Sequence, residues 1–180
     1  MPTIITHAYT GMIGASIFTS KVSKLKFWLL SIVCPVIPDF DVIGFKLGIP
    51  YANFWGHRGF FHSLAFAFLV AVVATIIVIS VQNVFTRKGF GFLFYFWVLT
   101  ASHGILDAMT SGGLGIALLA PFDNTRYFFP FTPIAVSPIG VSRFFSAWGW
   151  RVMKSELLWV WAPLAVVLLC QKSLRVIMRK

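Results

Sequence analysis

One stretch decides the class of this chain: from Leu64 to Val84 there are 21 residues without a charge, closed by Arg87-Lys88. An α-helix needs about 20 apolar residues to cross the hydrocarbon core of a bilayer, so the run predicts a membrane span. The composition, 58% hydrophobic and 11% charged over 180 residues, lies outside the range of soluble domains. A net charge of +10 raises nucleic acid as a partner. The cations, however, sit between apolar segments and form no continuous stripe. That arrangement suits topology signals and headgroup contacts and argues against nucleic acid as a direct partner. Cys34 and Cys170 both lie in apolar runs and offer neither a disulfide framework nor metal-ligand spacing. The first residues lack the positive region and cleavage site of a secretory signal, which leaves targeting to the membrane segments.

The remaining chain reads as an all-α polytopic membrane helix bundle of about four to five membrane segments with an interfacial loop region. No internal repeat or linker divides it, so residues 1–180 form a single membrane-embedded domain. Residues 4 to 20 predict a first helix, ended by Lys21, Lys24 and Lys26. Residues 27 to 37 are apolar but short, and Pro35 and Pro38 stop them. The shortness of these two segments leaves a re-entrant hairpin as an alternative. Residues 42 to 56 read as a loop, 90 to 109 as a second strong span, 110 to 150 as an interfacial loop with short helices, and 157 to 169 as a final span.

Orientation follows from the cations near span ends. With the first segment running inwards, Lys21, Lys24, Lys26, Arg87, Lys88, Lys172, Arg175, Arg179 and Lys180 are cytoplasmic, with no acid among them. The opposite face receives Lys46, Arg58, Arg126, Arg143, Arg151 and Lys154, together with all five acids and all four histidines. The sequence thus predicts that His7, Asp39, Asp41, His57, His62, His103 and Asp107 meet on the non-cytoplasmic side.

His103 and Asp107 stand four apart on a predicted helix, which puts them on one face about one turn apart. Imidazole and carboxylate are ligands that zinc accepts, and a catalytic zinc needs three protein ligands and an open position. His57 is expected in the loop and His62 near the first turn of the span, facing one metal centre or two. A lone histidine in an apolar segment is often an interhelical hydrogen-bonder contributing about 1 kcal/mol. An ionisable pair inside a span is costly and usually functional. Pro38-Asp39-Phe40-Asp41 reads either as a turn with capping carboxylates or as a source of ligands, Asp39 foremost. Arg58 suits a phosphate by its bidentate geometry, or a lipid headgroup, and Arg126 shares that ambiguity. Asp123 and Glu156 have no motif partner and read as surface acids.

An early histidine, the Pro-Asp-x-Asp turn, His57-Arg58-Gly59-Phe60-Phe61-His62-Ser63 before an apolar helix, Ser102-His103 with Asp107, and Arg126-Tyr127-Phe128-Phe129-Pro130 form a specific combination. Together they resemble the bacterial inner-membrane metal-dependent hydrolases of the YdjM and YbcI type. The resemblance covers nearly the whole chain. It implies a multi-pass protein of the bacterial inner membrane, and with the orientation expected from the cations the site faces the periplasmic side. It implicates His7, Asp39, Asp41, His57, Arg58, His62, Ser63, His103 and Asp107. That family is distantly similar to zinc-dependent phospholipase C and the P1-type nucleases, which implies phosphoester chemistry. Those enzymes use further ligands that this chain does not offer, so one or two ions are expected, zinc or another divalent metal. The expected function is hydrolysis of a phosphoester of a membrane lipid or lipid-linked phosphate, with Asp39 or Asp41 as ligand or base and Arg58 holding phosphate. The alternative is a non-catalytic membrane protein, a transporter or stress-linked scaffold, in which these residues form a structural metal site or a proton relay.

Overall fold

The computed structural model describes residues 1–18, 24–138 and 144–178. Lys21, Arg143, Arg179 and Lys180, four of the cations used for orientation, lie outside the described residues. The regular elements are helical: α1 (Ile4–Ile17), α2 (Lys24–Val33), a 3-10 turn (Ile37–Val42), α3 (Ile43–Lys46), a second 3-10 turn (Phe60–His62), α4 (Leu64–Ile79), α5 (Arg87–Ala108), α6 (Ala147–Glu156) and α7 (Ala162–Ile177). The only strand-like pairings among the described residues are isolated bridges, Thr110 to Ile134 and Ile116 to Tyr127. The expected all-α bundle is therefore present.

Two helical stretches are long and apolar enough to cross a bilayer, Arg87–Ala108 and Ala147–Ile177. Leu25–Val33 and Ile37–Lys46 make a third crossing if counted as one pair, bent by 51° where Pro35 interrupts the helix. The helix from Leu64 is shorter than the uncharged run that predicts it, because Ser80 adopts a left-handed backbone (φ 70) and ends α4 at Ile79. Its 16 residues rise about 24 Å, less than the ~30 Å hydrocarbon core. Towards the C-terminus the opposite happens: a continuous 31-residue helical stretch takes in residues from both the expected loop and the expected span. Arg151 and Lys154 do not break it, since both are good helix formers, and each lies over a tryptophan ring, Trp148 and Trp150 respectively.

Small residues on α4, Ala67, Ala71 and Ala74, are buried where α4 packs along α5, the close approach that drives helix association when lipid surrounds both. Phe27, Phe92 and Phe96 complete this core with Cys34 and Ile79. Gly11 serves the same purpose between α1 and α2, since a Cβ there would meet the Ser31 carbonyl. α7 buries none of its residues and presents its apolar side chains outwards, as lipid-facing helices do. It is tied to α1 at the far end from the acids: Gln171 and Arg175 donate to the Ile17 carbonyl at 3.0 and 2.7 Å.

The bundle is polarised. α1 begins, α4 begins, and α5 and α6 end at one extremity, and the segment 110–138 wraps it. Leu64 N–H bonds to Leu118 O, Phe129 N–H to Ala108 O, and Ala117 N–H to Arg58 O. The histidines and acids gather at that extremity, while Arg87 and Lys88 open α5 at the other.

Candidate metal centre

Each local structure delivers its side chain for a reason written in the chain. Pro38 starts the 3-10 turn that carries Asp39 and Asp41 inwards. Ser63 caps α4 by accepting the Phe66 N–H at 3.1 Å, which places His62 on the turn just before the helix. His103 and Asp107 share one face of the last turns of α5, and Thr3 caps α1 so that His7 falls in its first turns.

These elements bring Asp39, His62, His103 and Asp107 together with one ligand atom from each lying within 4.8 Å of all the others. The Nε2 atoms of both histidines face this centre. His62 Nε2 lies 3.7 Å from Asp39 Oδ1 and 3.4 Å from Asp107 Oδ2, and His103 Nε2 lies 3.4 and 3.8 Å from the same atoms. All four residues are buried, and both oxygens of Asp39 and of Asp107 lack a hydrogen-bond partner among the described residues. Buried polar atoms are nearly always paired, so orphaned carboxylate oxygens converging with imidazole nitrogens suit a cation. The other nitrogen of His103, Nδ1, lies 2.8 Å from the Pro35 carbonyl, an acceptor that fixes the tautomer leaving Nε2 with a free lone pair.

A second group, Asp41, His57 and His62, overlaps the first through His62. Its geometry is that of a hydrogen-bonded bracket. Asp41 Oδ1 lies 2.7 Å from His57 Nδ1, and Oδ2 lies 3.1 Å from His62 Nδ1 while accepting the Arg58 N–H at 3.1 Å. Asp41 thereby aims His62 at the centre, as outer carboxylates do for metal-binding histidines. His7 stands beside the four, stacked on His103 with ring centroids 3.8 Å apart and Nε2 3.4 Å from Asp107 Oδ1.

The model of the family described as YdjM inner membrane protein matches residues 1–179. The chain belongs to this family. Inner membrane protein YbcI of Escherichia coli strain K12 is 38% identical over 164 residues, which cover 91% of this chain and 92% of that relative. No solved structure matches. Family and relative are both named as inner membrane proteins, in agreement with the apolar helices described above.

In this YdjM-family chain the electrostatics favour a cation. Three buried carboxylates, Asp39, Asp41 and Asp107, face one buried guanidinium, Arg58. With neutral imidazoles the side chains carry two uncompensated negative charges in a desolvated cluster, the balance that a divalent ion closes. Burial by itself lowers the basicity of His62, but the carboxylates of Asp107, Asp39 and Asp41 outweigh it and hold His62 well above its ordinary pKa, so a cation at this centre takes the place of a His62 proton and meets the neutral ring assumed in the charge count.

Arg58 faces the protein. Its Nη1 donates to Gly112 O at 2.7 Å, its Nη2 to Thr110 Oγ1 at 3.0 Å, and its Nε lies 3.6 Å from Asp107 Oδ2. The backbone at Arg58 is left-handed (φ 64), a strain on the order of 1–3 kcal/mol that the surrounding bonds sustain. Gly113 allows the fit, since a Cβ there would stand 2.5 Å from Arg58 Nη1. Arg126 is likewise structural in its bonds: it donates to the carbonyls of His57, Tyr51 and Asn53 and so pins the loop carrying His57.

Asp123 lies at the surface, accepting from Thr125 N–H and Tyr127 O–H. Glu156, read from the sequence as another surface acid, is fully buried against α1. Its partners lie about 150 residues away, and no local motif announces them.

Proposed function

We propose that this protein is a membrane-bound metal-dependent hydrolase that cleaves a phosphoester of a lipid or lipid-linked substrate at the non-cytoplasmic face, with zinc as the preferred ion. The convergence of Asp39, His62, His103 and Asp107 in a buried, negatively charged cluster carries this reading. A divalent cation held there supplies Lewis-acid activation of water and of a phosphoryl oxygen. Asp39, whose oxygens are unbonded, is placed to ligate or to take up a proton. Asp41 orients His62 and His57, and Arg58 supports Asp107 with its charge. The likeness of the motifs to zinc-dependent phospholipase C and the P1-type nucleases supports phosphoester chemistry by analogy.

A pocket of about 460 Å³ has Asp39 in its lining and falls within the ~300–1,000 Å³ of ligand sites. Ile4, Ile5, Val42, Phe144 and Phe145 line it. Largely apolar walls beside a cluster carboxylate suit a hydrocarbon tail carrying a polar head. The proton-relay alternative needs titratable groups from one face to the other. Every acid and histidine lies at the extremity where α1 begins and α5 ends, which favours a one-sided site.

Zinc-loaded protein in nanodiscs, offered a panel of glycerophospholipids and polyprenyl phosphates, is expected to produce a new phosphorus resonance that disappears on chelation. In right-side-out vesicles externally added substrate is expected to be cleaved, and in inverted vesicles to survive. Metal-loaded protein that turns over no member of the panel would contradict the hydrolase reading, and cleavage confined to inverted vesicles would reverse the orientation.

A further inference from the structure

Among the described residues, Glu156 is the one fully buried acid outside the cluster. Its carboxylate accepts the Thr3 N–H at 2.5 Å, the Thr3 hydroxyl at 2.7 Å and the Thr6 hydroxyl at 2.6 Å. Thr3 is the N-cap of α1, so the carboxylate sits at the positive end of that helix with charge-assisted bonds. From the other side Trp161 Nε1–H donates to the same Thr6 hydroxyl oxygen at 2.7 Å, and Tyr9 O–H donates to the Trp161 carbonyl at 3.2 Å.

Residues five apart lie about 140° out of phase on a regular α-helix, yet Glu156 and Trp161 both reach Thr6. Between them the helix forms a π turn, Leu157–Trp161, whose wider winding brings both side chains to the α1 side. The residue after Thr6 is His7. Neither ring nitrogen of His7 has a hydrogen-bond partner among the described residues, so no hydrogen bond orients the ring. Its stacking on His103 and its approach to Asp107 depend on where α1 is held.

We propose that Glu156, assisted by Trp161 across the π turn, is a positioning residue of the metal centre: it clamps the first turn of α1 and thereby sets His7 against His103 and Asp107. The proposal rests on the metal-centre reading above for its purpose, and on its own contacts for its mechanism. A clamp of this kind links the long membrane helix to the site through a single turn. Movement of α6 and α7 is then felt at His7.

The test uses the full chain in nanodiscs, as E156A, E156Q, W161F, H7A and H7A/E156A, with two readouts: zinc affinity, and labelling of His7 by diethylpyrocarbonate mapped by mass spectrometry. E156A is expected to weaken zinc binding ~10–100-fold, the range of outer-shell substitutions, and to open His7 to labelling. W161F does the same to a smaller degree, and E156Q restores most of both. H7A/E156A is expected to bind zinc no more weakly than H7A alone, because the clamp acts through His7. Multiplying losses in the double variant, or a less stable E156A whose zinc affinity and His7 protection match the wild type, would overturn the proposal. Should E156A not fold, W161F against wild type decides by the same two readouts. If the wild type takes up no zinc, the metal-centre reading fails, and His7 labelling alone decides the clamp: protection lost in E156A or W161F supports it, protection kept in both overturns it.

Discussion

Purified protein carrying His103→Ala and Asp107→Ala together is expected to hold no divalent metal under conditions in which the wild type is loaded. His103 Nε2 and Asp107 supply two of the four convergent ligand atoms, and the remaining pair, Asp39 and His62, falls short of the three protein ligands of a catalytic zinc. The double change also removes the carboxylate facing Arg58 and the imidazole facing the Pro35 carbonyl. Some loss of stability therefore accompanies loss of metal, and the two are separable. H103A alone leaves the Asp107 and Arg58 pair in place, so it should keep most of the fold while binding metal far more weakly. Elemental analysis beside circular dichroism of the three proteins checks this. Metal retained at wild-type level by the double variant would place the ion elsewhere.

Arg58→Ala is the substitution with the largest expected cost in stability. The guanidinium is buried with every contact made inside the protein, to Gly112, Thr110 and Asp107, and its own backbone N–H is bonded to Asp41. Removing one partner of a buried ion pair costs about 3–5 kcal/mol, because the other charge stays behind unpaired. Here that charge is Asp107, already in a cluster with excess negative charge. Lysine is not expected to rescue, since a single ammonium cannot reproduce a planar fork that spans Thr110, Gly112 and Asp107 at once. Chemical unfolding in detergent micelles measures the loss. An Arg58→Ala protein as stable as the wild type would contradict a supporting role for Arg58 at Asp107.

Much of the site was legible in the sequence for a physical reason. Ionisable groups are costly in apolar segments, so the few that are kept stand out, and the spacing of His103 and Asp107 on one helical face already joins two of them. Sequence spacing also separates His57 in its loop from His62 at the start of the span. The division of labour was not legible. Asp39 and Asp41 are two residues apart on the same turn, yet Asp39 carries free oxygens and Asp41 is bonded to His57 and Arg58. That difference depends on how the 3-10 turn meets the loop at His57. Arg58 reads from the sequence as a holder of phosphate or a lipid headgroup because its partners Thr110 and Gly112 lie more than 50 residues away.

The fold shows the same pattern. Uncharged length predicts membrane helices, and the structure has them, but their ends depend on single backbone conformations. Ser80 shortens α4 by adopting a left-handed geometry that no hydrophobic count detects. Arg151 and Lys154 do not end the C-terminal helix, since both are good helix formers, and tryptophan rings lie against their charges. Glu156 escaped because its partners Thr3 and Thr6 lie about 150 residues away, and the π turn that brings Trp161 to the same Thr6 hydroxyl lies in a run, Leu157–Trp161, that looks like any other apolar helix.

The metal centre is tested most directly by X-ray absorption at the metal edge of wild-type protein purified without chelator, together with metal stoichiometry. A centre built from Asp39, His62, His103 and Asp107 predicts a divalent ion bound in stoichiometric amount, surrounded by nitrogen and oxygen donors with the multiple-scattering pattern of histidine and no sulfur. Protein that retains no stoichiometric metal, or an ion bound through the sulfur of Cys34 or Cys170, would contradict it.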